Sequence, residues 1–147
     1  MVVRGGLVVV VLAVATGVGL WWTARNGRFT AAQSTHRGTA PRVTAAELGT
    51  ALGADLTFLQ LSSEGCAPCR RASEVLSRLV AERPGLAHVE LDVKGHLDLV
   101  RRFGVMRTPT VLLLHADGVV AGRMSGALDQ RRAVAALESC QGIVRAR

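Results

Sequence analysis

The chain has 147 residues, with 18 Lys+Arg against 11 Asp+Glu, a formal charge of +7, 49% hydrophobic and 3% aromatic residues. That length holds one domain of about 100 residues plus an appendage rather than two full domains. The apolar content excludes a disordered chain, and three cysteines are too few for a disulfide-stapled scaffold. The basic excess is not evenly spread. Residues 1–43 carry Arg4, Arg25, Arg28, Arg37 and Arg42 with no acid, whereas residues 44–147 hold 13 basic and 11 acidic side chains. A nucleic-acid partner needs its positive excess on the folded surface, so none is expected here.

From Gly5 to Ala24 no residue is charged. A helix of that length rises roughly 30 Å, the thickness of a bilayer's hydrocarbon core. Trp21 and Trp22 close the run, and indoles favour the lipid–water boundary. Residues 1–24 therefore read as a retained, single-pass membrane anchor. A cleaved signal peptide fits less well, because Ala13-Val14-Ala15 follows too short an apolar run and leaves more apolar sequence behind. Arg25, Arg28 and Arg37 outnumber Arg4 and the α-amine by about one charge, a lean towards a cytoplasmic C-terminal domain. Residues 25–43 are small and polar, punctuated by Gly27, Gly38 and Pro41, and read as a flexible linker in which His36 is simply solvated.

From residue 44 to residue 147 the pattern is that of a globular domain. Thr44 and Glu47 have capping-box spacing and open a short helix. Leu56–Leu61 is an apolar strand. Ala72, Val75, Leu76, Leu79 and Val80 share one helical face, ended by Pro84-Gly85. Ala87, Val89, Leu91 and Val93 alternate with His88, Glu90 and Asp92, predicting a strand with one wetter face. A short helix follows over His96–Phe103, closed by Gly104. Thr110–Leu114 is a buried strand, Asp117-Gly118 a hairpin turn leading into Val119–Met124, and Leu128–Ser139 a last helix. The order α-β-α-β-α-β-β-α predicts a sheet covered by helices on both faces.

Cys66-Ala67-Pro68-Cys69 falls between the first strand and the long helix. Free N–H groups and the helix dipole favour a thiolate there. Cys66 is then the exposed nucleophile. Cys69, within one turn, attacks the resulting mixed disulfide, and Pro68 suits a first turn where its missing N–H costs nothing. Structural zinc wants four ligands, and Cys140, His88, His96 and His115 supply no second close pair. No metal and no cofactor are therefore expected. Cys140, at the end of the last amphipathic helix, reads as an apolar core residue.

With these motifs in order, the chain from about residue 44 to residue 147 resembles the thioredoxin family. The resemblance rests on CAPC opening the long helix, on Phe103-Gly104-Val105 leading to Arg107-Thr108-Pro109-Thr110, on Asp117-Gly118, and on Gly126-Ala127-Leu128 before the last helix. It implies a thioredoxin-like α/β fold with a central mixed sheet. It also implies a cis peptide bond at Pro109 facing the cysteines, with the Thr108 backbone, Ala67 and Pro68 contacting an extended substrate segment. The departures from the family are specific. Gly65 stands where a Trp is common, and Gln60 stands where a buried Asp often relays a proton. His88 and Glu64 are the candidate replacements for that relay. The segment before Leu56 is too short for the family's full first strand and helix, so that strand is short or absent and Ala87–Val93 becomes a sheet edge.

The function these features imply is a membrane-tethered thiol:disulfide oxidoreductase with protein dithiols and disulfides as substrates and an upstream electron donor. The Ala-Pro dipeptide resembles that of reducing members. Two alternatives stand beside it. One is an extracytoplasmic thiol reductase for cytochrome c or copper-site assembly, which family precedent favours over the charge rule. The other is a redox-inert binding module using the Thr108–Pro109 surface.

Overall fold

The computed structural model describes residues 2–25, 30–31 and 41–145. Val2–Arg25 form one helix, α1. Its side chains are described from Val10 to Trp21, where Val10, Val11, Leu12, Val14, Val18 and Leu20 are all exposed. Among the described residues no helix is long and apolar enough to cross a membrane. Most of the expected linker, residues 26–29 and 32–40 with His36, lies outside the described residues. Within it, Thr30–Ala31 (β1) pair with a strand of the domain, and the domain's packing begins before residue 44, since Val43 is fully buried.

The remaining elements follow the chain in the order predicted: α2 Ala45–Leu48, β2 Leu56–Ser62, α3 Ala67–Glu82, β3 Leu86–Asp92, α4 Leu97–Arg102, β4 Thr110–His115, β5 Val120–Ser125 and α5 Gln130–Arg145. The Thr44–Glu47 capping box is formed in both directions. Arg102 also donates to Glu47, and that bond, with those from Thr44, lowers its carboxyl pKa to about 2. The last helix starts later than predicted and runs longer. Asp129 is the reason for the start: its side chain accepts from the Arg132 N–H at 2.9 Å and its carbonyl from the Ala133 N–H at 3.1 Å, satisfying first-turn donors.

The sheet order is β1-β5-β4-β2-β3. β2 and β3 are parallel, while β2–β4 and β4–β5 are antiparallel. This is an α/β, thioredoxin-like mixed sheet. Among the described residues no strand flanks β3 on its outer side, so β3 is an edge, as its alternation implied. The small β1 sits instead at the opposite edge. Strand periodicity divides the core in two. Leu56, Phe58, Val111 and Leu113 face α3 and α5, meeting Ala72, Leu76, Leu79, Ala133, Ala136 and Leu137. Leu59, Leu112 and Leu114 face the other side, against Val43, Leu48, Leu99 and Phe103.

The register adds to the sequence expectation. His88 and Glu90 pair across from Phe58 and Gln60, so the polar side of β3 turns towards α3. That face remains the wetter one, with His88 half-buried under α3 and Glu90 and Asp92 exposed, while Val89 and Leu91 pack against the second core cluster. A parallel neighbour puts matched residues on the same face, and the alternation alone carried no information about which side α3 would cover.

Candidate functional site

The cysteines lie where β2 ends and α3 begins. Gly65 makes the approach with φ +73°, and nothing lies within 4 Å of where a Cβ would be. The constraint at this position is therefore conformational rather than spatial. Cys66 is the N-cap of α3 and Pro68 occupies its first turn. A disulfide joins Cys66 to Cys69, with Cα atoms 5.2 Å apart, so the structure is the oxidised form.

The two sulfur-bearing residues have unlike surroundings. Cys66 is partly exposed, flanked by exposed Gly65, Ala67 and Pro68, whereas Cys69 is only 2% exposed. The Cys69 N–H donates to Cys66 Sγ at 3.2 Å, the kind of charge-stabilising contact that a helix N-terminus offers a thiolate. The Thr108 hydroxyl lies 3.9 Å from the same sulfur as a second donor, and a 2.8 Å hydrogen bond to Ser63 Oγ fixes its position. The Thr108–Pro109 peptide bond is cis. The structure thus brings Cys66, Cys69 and Thr108 together at one end of the sheet, with Pro109 buried beside Thr108 and exposed Met106 and Arg107 just before it.

Beneath Cys69 lies a polar cluster that the sequence reading resolved only in part. Gln60 is fully buried. The two hydrogens of its Nε2 are shared among three acceptors, the Cys69 carbonyl at 3.0 Å, Glu90 Oε1 at 3.0 Å and Ser62 Oγ at 2.9 Å. Its Oε1 lies 3.3 Å from His88 Nε2. An amide oxygen only accepts, so His88 carries its proton on Nε2, and Nδ1 accepts from the Ser77 hydroxyl at 3.3 Å. Ser73 donates to Glu90 Oε2 at 2.9 Å. Burial pushes the His88 pKa below its ordinary value, against the opposing pull of the Glu90 charge. Among the described residues no buried side-chain polar atom lacks a partner.

Of the two candidate relays, the structure places His88 in this cluster and Glu64 outside it. Glu64 is exposed and pairs with Lys94 at 3.0 Å. Glu90, Ser73 and Ser77 were missed. The available signal was Ser73 and Ser77 one helical turn apart, beside the apolar stripe of α3, together with an acid two residues beyond His88. Cys140 is buried in the core between α3 and α5, and burial raises its thiol pKa to about 11. Among the described residues no three His, Cys, Asp or Glu side chains gather as metal ligands.

A thioredoxin-like sheet, a cis-proline loop and a helix-capping Cys-x-x-Cys disulfide define a class of protein, and structural comparison agrees. The chain is similar to a point-mutant thioredoxin from Halobacterium salinarum, with TM-score 0.51 and 28% identity over 58% of this chain and 74% of that one. It is also similar to the oxidised mitochondrial thioredoxin 3 of Saccharomyces cerevisiae, with TM-score 0.51 and 24% identity over 57% and 78% of the two chains. A malarial protein shares the fold at TM-score 0.52 and 19% identity over 57% and 94%. No family model and no curated protein matches the chain.

Proposed function

We propose that the chain is a membrane-tethered thiol:disulfide oxidoreductase that reduces protein disulfides. One observation carries the reading: the Cys66–Cys69 disulfide caps a helix with its first cysteine partly exposed and its second buried. In the reduced protein, the Cys66 thiolate attacks a substrate disulfide. A Cys66–substrate bond forms and one substrate sulfur leaves as a thiolate. Cys69 then loses its proton and attacks Cys66 Sγ, which releases the second substrate sulfur and closes the intramolecular disulfide. Two electrons pass to the substrate, and a dithiol donor returns them. The edge of the Thr108–Pro109 loop supplies backbone for an extended substrate segment.

The tether is argued from the sequence. The uncharged run Gly5–Ala24 has the length of a bilayer core, and its described portion exposes apolar side chains. The Thr16 hydroxyl is satisfied within the helix by the Leu12 carbonyl at 2.8 Å, which removes one cost of burial in lipid. The anchor confines the enzyme to substrates at or near the membrane.

Reduction of insulin by the full chain in detergent tests the chemistry, with Cys66→Ser expected to abolish turnover. Cys69→Ser is expected to accumulate a mixed disulfide with substrate. If no redox buffer supports turnover while ligand binding survives a double Cys66→Ser/Cys69→Ser change, the chain is a redox-inert binding module instead. Labelling of Cys66 in intact cells by a membrane-impermeant thiol reagent reads which side of the membrane the domain occupies.

A further inference from the structure

β3 is a sheet edge that lacks the usual devices against pairing. Leu86–Asp92 holds no proline and no lysine, and it runs beside β2 without a bulge. The chain entering the domain is held at the opposite edge instead. Thr30–Ala31 pair with β5, Arg42 bridges to Val119, and the Pro41 carbonyl accepts from the Val120 N–H at 3.2 Å. Backbone hydrogen bonds fix which groups of β3 face outward. The Val93 N–H donates to the Ser62 carbonyl at 2.9 Å, and the Gly85 carbonyl accepts from the Leu56 N–H at 3.4 Å. Odd-numbered residues are therefore turned to β2, and Leu86, His88, Glu90 and Asp92 point their main-chain groups away from it. Two of those groups are satisfied locally. The Leu86 N–H donates to the Arg83 carbonyl at 3.3 Å, and the Asp92 carbonyl accepts from the Gly95 N–H at 3.2 Å. The Leu86 carbonyl, the Asp92 N–H and both groups of His88 and Glu90 have no backbone partner among the described residues.

We propose that β3 pairs antiparallel with β3 of a second copy of this chain, about a two-fold axis at Val89, joining the two sheets into one. In this register His88 lies opposite Glu90 of the second copy, and Leu86 lies opposite Asp92. Opposed residues whose main-chain groups face each other exchange hydrogen bonds, so His88 and Glu90 satisfy one another. The Asp92 N–H meets the Leu86 carbonyl. The Leu86 N–H and the Asp92 carbonyl, which would otherwise face each other across the axis, are the two already used within the chain. Every open donor thus meets an open acceptor. A slip of two residues destroys the match. In one direction Glu90 opposes Glu90 of the second copy, a destabilising like-charge pair. In the other, His88 opposes His88, and the Glu90 carbonyl faces the occupied Leu86 N–H. On the other face of the sheet Val89 meets Val89 and Ala87 meets Leu91, all half-buried in the single chain, so pairing removes further apolar surface from water. The two-fold axis sends the Cys66 sites to opposite ends of the joined sheet. Neither site is covered, and the association does not depend on the thiol chemistry.

Sedimentation equilibrium of the full chain, in detergent matched to the density of the solvent, reads the number of chains per particle. The wild type is expected to hold two. Val89→Lys sets a cation against its own copy on the axis and is expected to halve the mass, and Val89→Glu should do the same with an anion. An equimolar mixture of the two variants should regain two chains per particle, because opposite charges then meet. A misfolded variant would not be rescued in this way, and both should keep the wild-type circular dichroism. Oxidation of Val89→Cys in a Cys66→Ser/Cys69→Ser background should link two chains through the close cross-strand pair, whereas Glu138→Cys on α5 should not. One chain per particle in the wild type overturns the inference. So does a mass of two chains that survives in both charged variants, which places the association on another surface, or a mixture that stays at one.

Discussion

The two halves of β2 are both buried but differ in what they bury. Leu56, Phe58 and Leu59 meet hydrocarbon, with Phe58 pressed into the layer formed by α3 and α5. Gln60 and Ser62, also buried, meet an amide-bridged cluster of carboxylate, imidazole and hydroxyls. The first half is filled mainly by volume, its one buried hydroxyl, Thr57, accepting from the Gly53 N–H at 2.8 Å. The second half must satisfy every donor and acceptor, because an unpaired buried polar group costs more than a paired one returns. A strand that changes solvent along its length in this way marks where stability ends and chemistry begins, and the change falls at the residue facing Cys69.

The sharpest break in that comparison is Phe58→Ala. It removes a fully buried ring from the larger core cluster, with an expected cost of about 3–5 kcal/mol. Urea denaturation followed by circular dichroism should show a large drop in midpoint. Reactivity of whatever protein remains folded should be nearly unchanged, since Phe58 packs in the apolar layer and not in the hydrogen-bonded cluster around Gln60. A loss of thiol reactivity in the folded fraction that exceeds the loss of folded protein would show that the two halves are not separate.

Gln60→Ala addresses the other half. It strips the Cys69 carbonyl, Glu90 and His88 of their common partner at once, with an expected cost of about 1–3 kcal/mol, smaller than that of the ring. Water reaching the exposed edge of β3 offsets part of the loss. The same variant should alter the rate at which Cys69 resolves a mixed disulfide, which Phe58→Ala should not do. Equal stability losses with equal rate changes in the two variants would remove the distinction between the halves.

How much of this was readable beforehand follows the same division. The apolar periodicities of Leu56–Leu61, Ala72–Val80 and Thr110–Leu114 placed the sheet and helices, because burial of one face is a local pattern. The motif Cys66-Ala67-Pro68-Cys69 and the Thr108–Pro109 pair were also readable, since spacing and resemblance carry them. Glu90 was not. Its place in the cluster depends on a parallel register that sets it opposite Gln60 and on α3 turning Ser73 towards it and Ser77 towards His88. Neither fact is encoded in β3 alone, where His88 and Glu90 look like the solvated side of an edge strand. Glu64 looked as suitable as His88 for the opposite reason: nearness to Cys66 in sequence says nothing about Lys94, which draws it outward.

The smallest effect concerns His88 and refines the boundary between the halves. Burial lowers its pKa from the ordinary 6.5, so the unfolded chain takes up a proton at higher pH than the folded one. As pH falls below about 6.5 the unfolded state binds more protons, and stability declines until the folded-state value is passed. The slope corresponds to at most one proton, and it should vanish in His88→Gln, whose amide can still donate to Gln60 Oε1. Glu90 opposes the shift, so Glu90→Gln should steepen the loss, because the neutral amide no longer favours the imidazolium. Denaturation midpoints measured from about pH 7.5 to 5 for the three proteins check the sign. A wild-type slope that survives in His88→Gln would assign the titration to another group, and the polar half of β2 would then influence Cys69 without itself sensing pH in this range.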